Sequence, residues 1–129
     1  MPKQAPRLSE SEWIVANIVW EHPRSTASEI FRRIPEEVTW KPKTVNTFLA
    51  RLAKKGVLGV ERNARANVYY PKVDRSKCVQ AESASFFHRV FRGAPAPMLA
   101  HFCETVDLDE EAIAKLRKIL DEKSGGKKS

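Results

Sequence analysis

Cysteine is nearly absent: Cys78 and Cys103 are the only two in 129 residues, too few for a disulfide scaffold, and nothing else calls for an oxidising compartment. Long apolar runs are missing too. The longest, within residues 13–20, is far short of a bilayer crossing, which excludes an integral membrane protein. The opening Met1-Pro2-Lys3-Gln4-Ala5-Pro6-Arg7 has no apolar stretch behind its charges, so no secretory signal is expected and the expected location is the cytoplasm. Catalytic signatures are also lacking. There is no glycine-rich phosphate loop, no His-Glu-x-x-His and no serine in a nucleophile elbow, and His22, His88 and His101 are scattered. Neither an enzymatic activity nor a cofactor is expected. His101-Phe102-Cys103-Glu104 offers three ligand types within four residues, with His88 as a further donor. Their spacing matches no structural zinc pattern, so no metal is expected. A metal- or redox-responsive regulator working through Cys78 or Cys103 stays open as an alternative.

Negative charge is the next absence. Between Glu37 and Glu61 there is no acid, while Lys41, Lys43, Arg51, Lys54 and Lys55 fall inside that gap. Up to Val73 thirteen Lys and Arg face seven Asp and Glu, a balance of +6; beyond it ten face nine, a balance of +1. A localised basic stretch beside a neutral half fits a polyanion partner, with a solvated basic face as the plainer reading. Composition is that of a globular chain, 42% hydrophobic and 30% charged. A chain of this length buries roughly two-thirds of its unfolded surface, enough for a core without staples.

Ser9-Glu10-Ser11-Glu12 is a capping box ahead of an apolar run. Trp13, Ala16, Asn17 and Trp20 then share one stripe, with Ile14 and Ile18 beside it, predicting a helix to about Glu21. Thr26-Ala27-Ser28-Glu29 is a second capping box, and the short helix it opens must end near Ile34 because Pro35 follows. The third helix is bracketed by Pro42, suited to a first helical turn, and Gly56, placed for a left-handed cap. Val45, Phe48, Leu49 and Leu52 form its apolar stripe. The opposite face carries Lys43, Thr47, Ala50 and Lys54, flanked by Asn46 and Arg51. After Gly56 the period changes to two. Leu58-Gly59-Val60-Glu61-Arg62 and Val68-Tyr69-Tyr70 predict strands joined by Asn63-Ala64-Arg65-Ala66-Asn67. Three helices, the third basic, followed by a hairpin with arginines near its tip, make a winged helix-turn-helix domain over residues 1–73. The three tryptophans could stack on nucleic-acid bases, but Trp13 and Trp20 fall at core spacing and Trp40 precedes the third helix as a packing residue. Tyr69 and Tyr70 alternate across the sheet, one toward the core and one toward the surface.

Residues 74–123 predict three helical pieces: one from Asp74 to Arg92, ended by Gly93-Ala94-Pro95-Ala96-Pro97; a short one around Met98-Leu99-Ala100-His101-Phe102; and a last one opened by Asp107 or Asp109. About fifty residues in such pieces do not easily close a core of their own. Phe86, Phe87, Val90, Phe91, Leu99, Phe102, Ile113, Leu116, Ile119 and Leu120 therefore need cover, and a second copy of the chain is the simplest source. Docking back onto the first domain is the alternative. Residues 124–129 read as a disordered tail. The fold class is thus mainly α with a small β-hairpin wing, a winged helix-turn-helix domain plus a helical dimerisation domain.

Four stretches carry a family likeness. Ser9-Glu10-Ser11-Glu12-Trp13-Ile14-Val15-Ala16-Asn17-Ile18-Val19-Trp20, Trp40-Lys41-Pro42-Lys43-Thr44-Val45-Asn46-Thr47, Arg51-Leu52-Ala53-Lys54-Lys55-Gly56 and Tyr69-Tyr70-Pro71 resemble the penicillinase repressors of the BlaI/MecI type, in order from about residue 8 to 120. The resemblance implies a dimeric winged-helix repressor with a helical C-terminal dimerisation domain, silencing antibiotic-resistance genes and released by cleavage in that domain. The family's scissile Asn-Phe pair falls on His101-Phe102, where Phe102 matches and His101 departs, so an inducing protease is an open partner. The paired Cys-x-Cys motifs of the copper-responsive sister branch are missing from this C-terminus.

Duplex DNA is a dense line of negative charge, and fixed cations that replace its counterions give affinity without sequence information. Lys54, Lys55, Arg62 and Arg65 suit that role, the last two as wing contacts. Lys41, Lys43 and Thr44 lie at the start of the third helix, where the helix dipole attracts phosphate. Base edges would be read by Lys43, Asn46, Thr47, Ala50 and Arg51. The expected partners are a double-stranded DNA operator and a second copy of the chain, with no membrane. A winged-helix protein-interaction module is the rival reading.

Overall fold

Ser9 and Glu12 close a reciprocal cap: the Glu12 N–H donates to Ser9 Oγ at 3.2 Å, and the Ser9 N–H donates to Glu12 Oε1 at 2.8 Å. This cap starts α1 (Glu10–Glu21) in the computed structural model, which describes residues 6–126. A strand too short to show a period follows as β1 (Ser25–Thr26), a two-residue element absent from the sequence reading. Thr26 and Glu29 repeat the reciprocal cap at the head of α2 (Ala27–Arg32). Helix α3 (Pro42–Lys54) begins with Pro42 in its first turn and ends in a Schellman arrangement. There the Val57 N–H donates to the Leu52 carbonyl at 3.0 Å and the Gly56 N–H to the Ala53 carbonyl at 3.0 Å. Gly56 has φ +83, a left-handed conformation that a side chain would strain. Val57 and Leu52, brought together by the motif, are both fully buried.

Strands β2 (Leu58–Glu61) and β3 (Val68–Pro71) form the wing hairpin, and β1 adds antiparallel to β3, giving the order β1-β3-β2. Gly59 pairs with Tyr70 and Val60 with Tyr69. Tyr69 packs against the core, while the Tyr70 ring lies over Gly59, so a Cβ there would come within 2.2 Å of it. Only glycine leaves room for that ring.

The core is built from Val15, Ala16 and Val19 of α1, Ile30 of α2, Val45, Leu49 and Leu52 of α3, and Val57 and Leu58. Each large aliphatic side chain hidden there contributes about 1.5–3 kcal/mol relative to exposure. On α1 the buried face is Glu12, Val15, Ala16, Ile18 and Val19, turned from the stripe of Trp13, Ala16, Asn17 and Trp20 expected from sequence. The two tryptophans instead form the half-buried border of the core, with ring centroids 5.8 Å apart. Their polar neighbours explain the turn. Trp20 Nε1 donates to the Val73 carbonyl at 3.0 Å, and Asn17 Oδ1 accepts from Arg75 Nε at 2.9 Å, so this side faces the seam with the following segment.

Helix α4 (Arg75–Phe91) follows, then α5 (Pro95–Thr105) and α6 (Glu110–Gly126). Asp109 caps α6, its Oδ1 accepting from the Ala112 N–H at 2.8 Å. Residues 124–126, read as part of a disordered tail, prolong α6, since each added turn residue gains a hydrogen bond once a helix is running. Residues 127–129 of that tail lie outside the described residues. The chain divides into two compact units, one ending at Ser85 and one beginning at Phe86. Cys78, early in α4, is buried in the first unit's core. In the second unit Phe86 meets Phe91 at 5.8 Å and Phe102 at 6.3 Å between ring centroids. No residue of α5 is buried.

Candidate nucleic-acid interface

One stripe of α3 is sealed and the other is open. Val45, Leu49 and Leu52 are buried and Phe48 is half-buried, while Lys41, Lys43, Asn46, Thr47, Ala50, Arg51 and Lys54 are exposed and Thr44 is half-buried. The exposed side carries no carboxylate. No side chain caps the helix start, so the dipole's positive end and the Lys41 and Lys43 ammonium groups act together. The Thr47 hydroxyl donates back to the Lys43 carbonyl at 3.1 Å. What it leaves for a partner is its methyl group and oxygen lone pairs, suited to a thymine methyl or a donor. Asn46 borders a shallow pocket with Ala27, Ser28, Phe31 and Pro42, where α2 meets the start of α3.

Lys55 differs from the other cations of the stretch. Its Nζ donates to Glu12 Oε1 and, at 2.8 Å, to the Arg7 carbonyl. The ammonium expected on phosphate is thus engaged inside the first unit. Burial alone would raise the Glu12 carboxyl, but the hydrogen bonds from Lys55 and from the Ser9 backbone and the Lys55 charge outweigh it and hold the group below its ordinary value. This pair joins residues 43 positions apart, a separation no local pattern reports.

In the wing, Arg62 and Arg65 are exposed in the loop at 62–67, and neither is in an ion pair among the described residues. Glu61, the acid that ends the charge gap, is paired with Arg24, whose backbone sits at φ +69 in the turn after α1. Both side chains are largely solvated, so the pair contributes little stability. It does neutralise the one carboxylate at the root of the wing. Arg24 was invisible to the sequence reading because its partner lies on another element.

Of the residues expected to need cover in the second unit, Phe86, Phe87 and Phe91 are half-buried. Val90, Leu99, Phe102, Ile113, Leu116, Ile119 and Leu120 are exposed, Val90 and Leu120 to 55%. A mostly apolar groove runs between α5 and α6, past Leu99, Phe102, Val106, Leu116, Ile119 and Leu120, with Lys123 also lining it. His101 and Phe102 lie within α5, where the His101 carbonyl also accepts from Thr105 Oγ1 at 2.8 Å. Cys78 is buried and its thiol pushed up by that burial, the opposite of a reactive thiolate, while Cys103 is exposed. Among the described residues no three His, Cys, Asp or Glu side chains gather as a metal site. Nor is any described helix long and apolar enough to cross a membrane.

Three helices, a hairpin closing a three-stranded sheet, and a third helix with an open, acid-free face define a winged helix-turn-helix domain. The chain belongs to the penicillinase repressor family, whose model matches residues 8–122. It is 35% identical over 126 residues to the penicillinase repressor of Bacillus licheniformis, covering 98% of each chain. It is 32% identical over 123 residues to the methicillin resistance regulatory protein MecI of Staphylococcus aureus, covering 95% of this chain and all of that one. Among solved structures, the DNA-binding domain of the repressor BlaI aligns with TM-score 0.52 and 36% identity, over 59% of this chain and 93% of that domain. The monomeric form of Bacillus licheniformis BlaI in complex with the blaP half-operator aligns with TM-score 0.50 at the same identity and coverage.

Proposed function

We propose that this chain is a DNA-binding transcriptional repressor that occupies its operator as a homodimer, each copy laying α3 in a major groove. The observation that carries the reading is the open face of α3, where Lys43, Asn46, Thr47, Ala50, Arg51 and Lys54 are exposed together with no acid among them. The Bacillus licheniformis relative solved in complex with its blaP half-operator supports duplex DNA as the partner. Lys41, Lys43, Lys54, Arg62 and Arg65 supply affinity by displacing counterions. Asn46, with Thr47, Ala50 and Arg51, supplies selectivity, since Asn pairs with adenine and guanidinium with guanine. Repression is then steric, by exclusion of polymerase.

The apolar groove of the second unit supports self-association through α5 and α6, which would set the spacing of two recognition helices to a pseudo-palindromic site. Release follows if α6 is lost. A protease cutting between His101 and Phe102 would strip α6 from the chain and with it much of the apolar surface available for pairing.

The deciding experiment compares Asn46→Ala on a duplex selected from a random pool and on unselected duplex. A loss of about 1–3 kcal/mol is expected on the selected duplex, with little change on the other. Equal losses on both would refute base reading at Asn46, and a wild-type chain showing no salt-dependent affinity for any duplex would refute the function.

A further inference from the structure

Arg51 is the one cation of the open face that rests on an aromatic ring. Its guanidinium lies 5.8 Å from the centroid of the Phe48 ring, one helical turn earlier. The Phe48 ring is itself fixed: it packs against the core and meets Trp40 at 4.9 Å between centroids with the planes inclined by 50°. Trp40 precedes α3 and is half-buried in the same cluster. No side chain or carbonyl accepts from the Arg51 guanidinium among the described residues, so its N–H groups are available. A weakly hydrated guanidinium stacks on such a face far better than a lysine ammonium, and side chains at i and i+3 meet on a helix surface.

We propose that Phe48, backed by Trp40, is a positioning residue that presets Arg51 for the base edges of the operator. The proposal rests on the DNA-binding reading above and adds a role for two aromatic residues otherwise explained by packing alone. An arginine held against a ring in the free protein loses less rotamer freedom on binding than one waving in solvent. Its planar fork then meets a guanine edge already oriented. The shelf thus selects for arginine at this position, not for positive charge in general.

The test is a double-mutant cycle of Phe48→Leu and Arg51→Ala on a duplex selected from a random pool by the wild-type chain. Phe48→Leu is expected to weaken binding about two- to fivefold in the wild-type background and to have no effect once Arg51 is alanine. Equal weakening in both backgrounds would overturn the proposal and leave Phe48 a packing residue. An Arg51→Ala variant that binds as tightly as wild type would also overturn it while leaving the DNA-binding reading intact. Absence of wild-type binding to any duplex would instead sink that underlying reading. Should Phe48→Leu not fold, NMR of the DNA-free wild type decides. Ring-shifted, ordered Arg51 side-chain resonances are expected, and freely averaged ones would overturn the shelf.

Discussion

The Lys55 ammonium donates to the buried carboxylate of Glu12, which is 2% exposed, so the last lysine of the basic stretch faces α1. One carboxylate oxygen thereby serves two ends of the domain: it completes the cap of α1 through the Ser9 N–H and pins the C-terminal end of α3. Lys54, one residue earlier, is exposed and keeps its charge for the outside. Adjacent lysines have opposite duties.

Salt dependence separates them. Lys54→Ala should reduce the slope of log affinity against log salt by about 0.9, the value of one displaced phosphate contact. Lys55→Met should leave that slope unchanged while lowering stability by about 1–3 kcal/mol, because it strands the Glu12 carboxylate. The loss is smaller than for a fully buried pair, since the lysine is partly solvated. Urea melts and salt titrations of the two variants measure both quantities.

The pH dependence follows from the same carboxylate. Its folded-state value is depressed below that of the unfolded chain, so the unfolded state binds the proton more tightly. The stability it contributes is present above the unfolded carboxylate value and is lost as pH falls through the folded one. Glu12→Gln should therefore flatten the decline of the urea midpoint on acidification below about pH 4.5, the reference for an unfolded glutamate. An unchanged acid limb in the variant would mean that other carboxylates control it.

Gly59→Ala should destabilise the wing. The new methyl would meet the Tyr70 ring at 2.2 Å, and forcing such a contact costs typically about 1–3 kcal/mol. Tyr70→Ala in the same chain should recover part of that loss, which thermal melts of the single and double variants would show. Gly56→Ala also strains the backbone, but through its φ of +83 with open space around it, so no second change should relieve it.

Association through the second unit predicts that Leu116→Glu or Leu120→Glu shifts sedimentation toward a single chain. Placing a charge in a desolvated contact is unfavourable by several kcal/mol. Operator affinity should fall with it, because two linked half-site contacts become independent. An unaltered sedimentation coefficient would point to some other cover for α5 and α6.

Local backbone chemistry was legible in the residues themselves. Both capping boxes, Pro42 at the start of α3 and Gly56 beyond its end act within four or five positions, so sequence spacing alone reports them. The open face of α3 was legible for the same reason, since a 3.6-residue period assigns sides without reference to the rest of the fold. The Lys55 engagement, the Arg24–Glu61 pair and the edge strand β1 were not. Each depends on what another element brings alongside, and two residues of strand carry no period. The face of α1 differs from the expected stripe because tryptophan's bulk suggests core, whereas here Val15, Ala16, Ile18 and Val19 fill the interior and the indoles edge it.

The placement of the three indoles has a practical sequel. Trp40 lies against Phe48 of α3, whereas Trp20 is bound to the Val73 carbonyl at the far end of α1. Emission from a chain keeping only Trp40 would therefore signal ligand arrival, and from one keeping only Trp20 the loosening of the seam before α4. Two of the three native indoles thus serve, in single-tryptophan variants, as optical probes, one for occupancy and one for integrity.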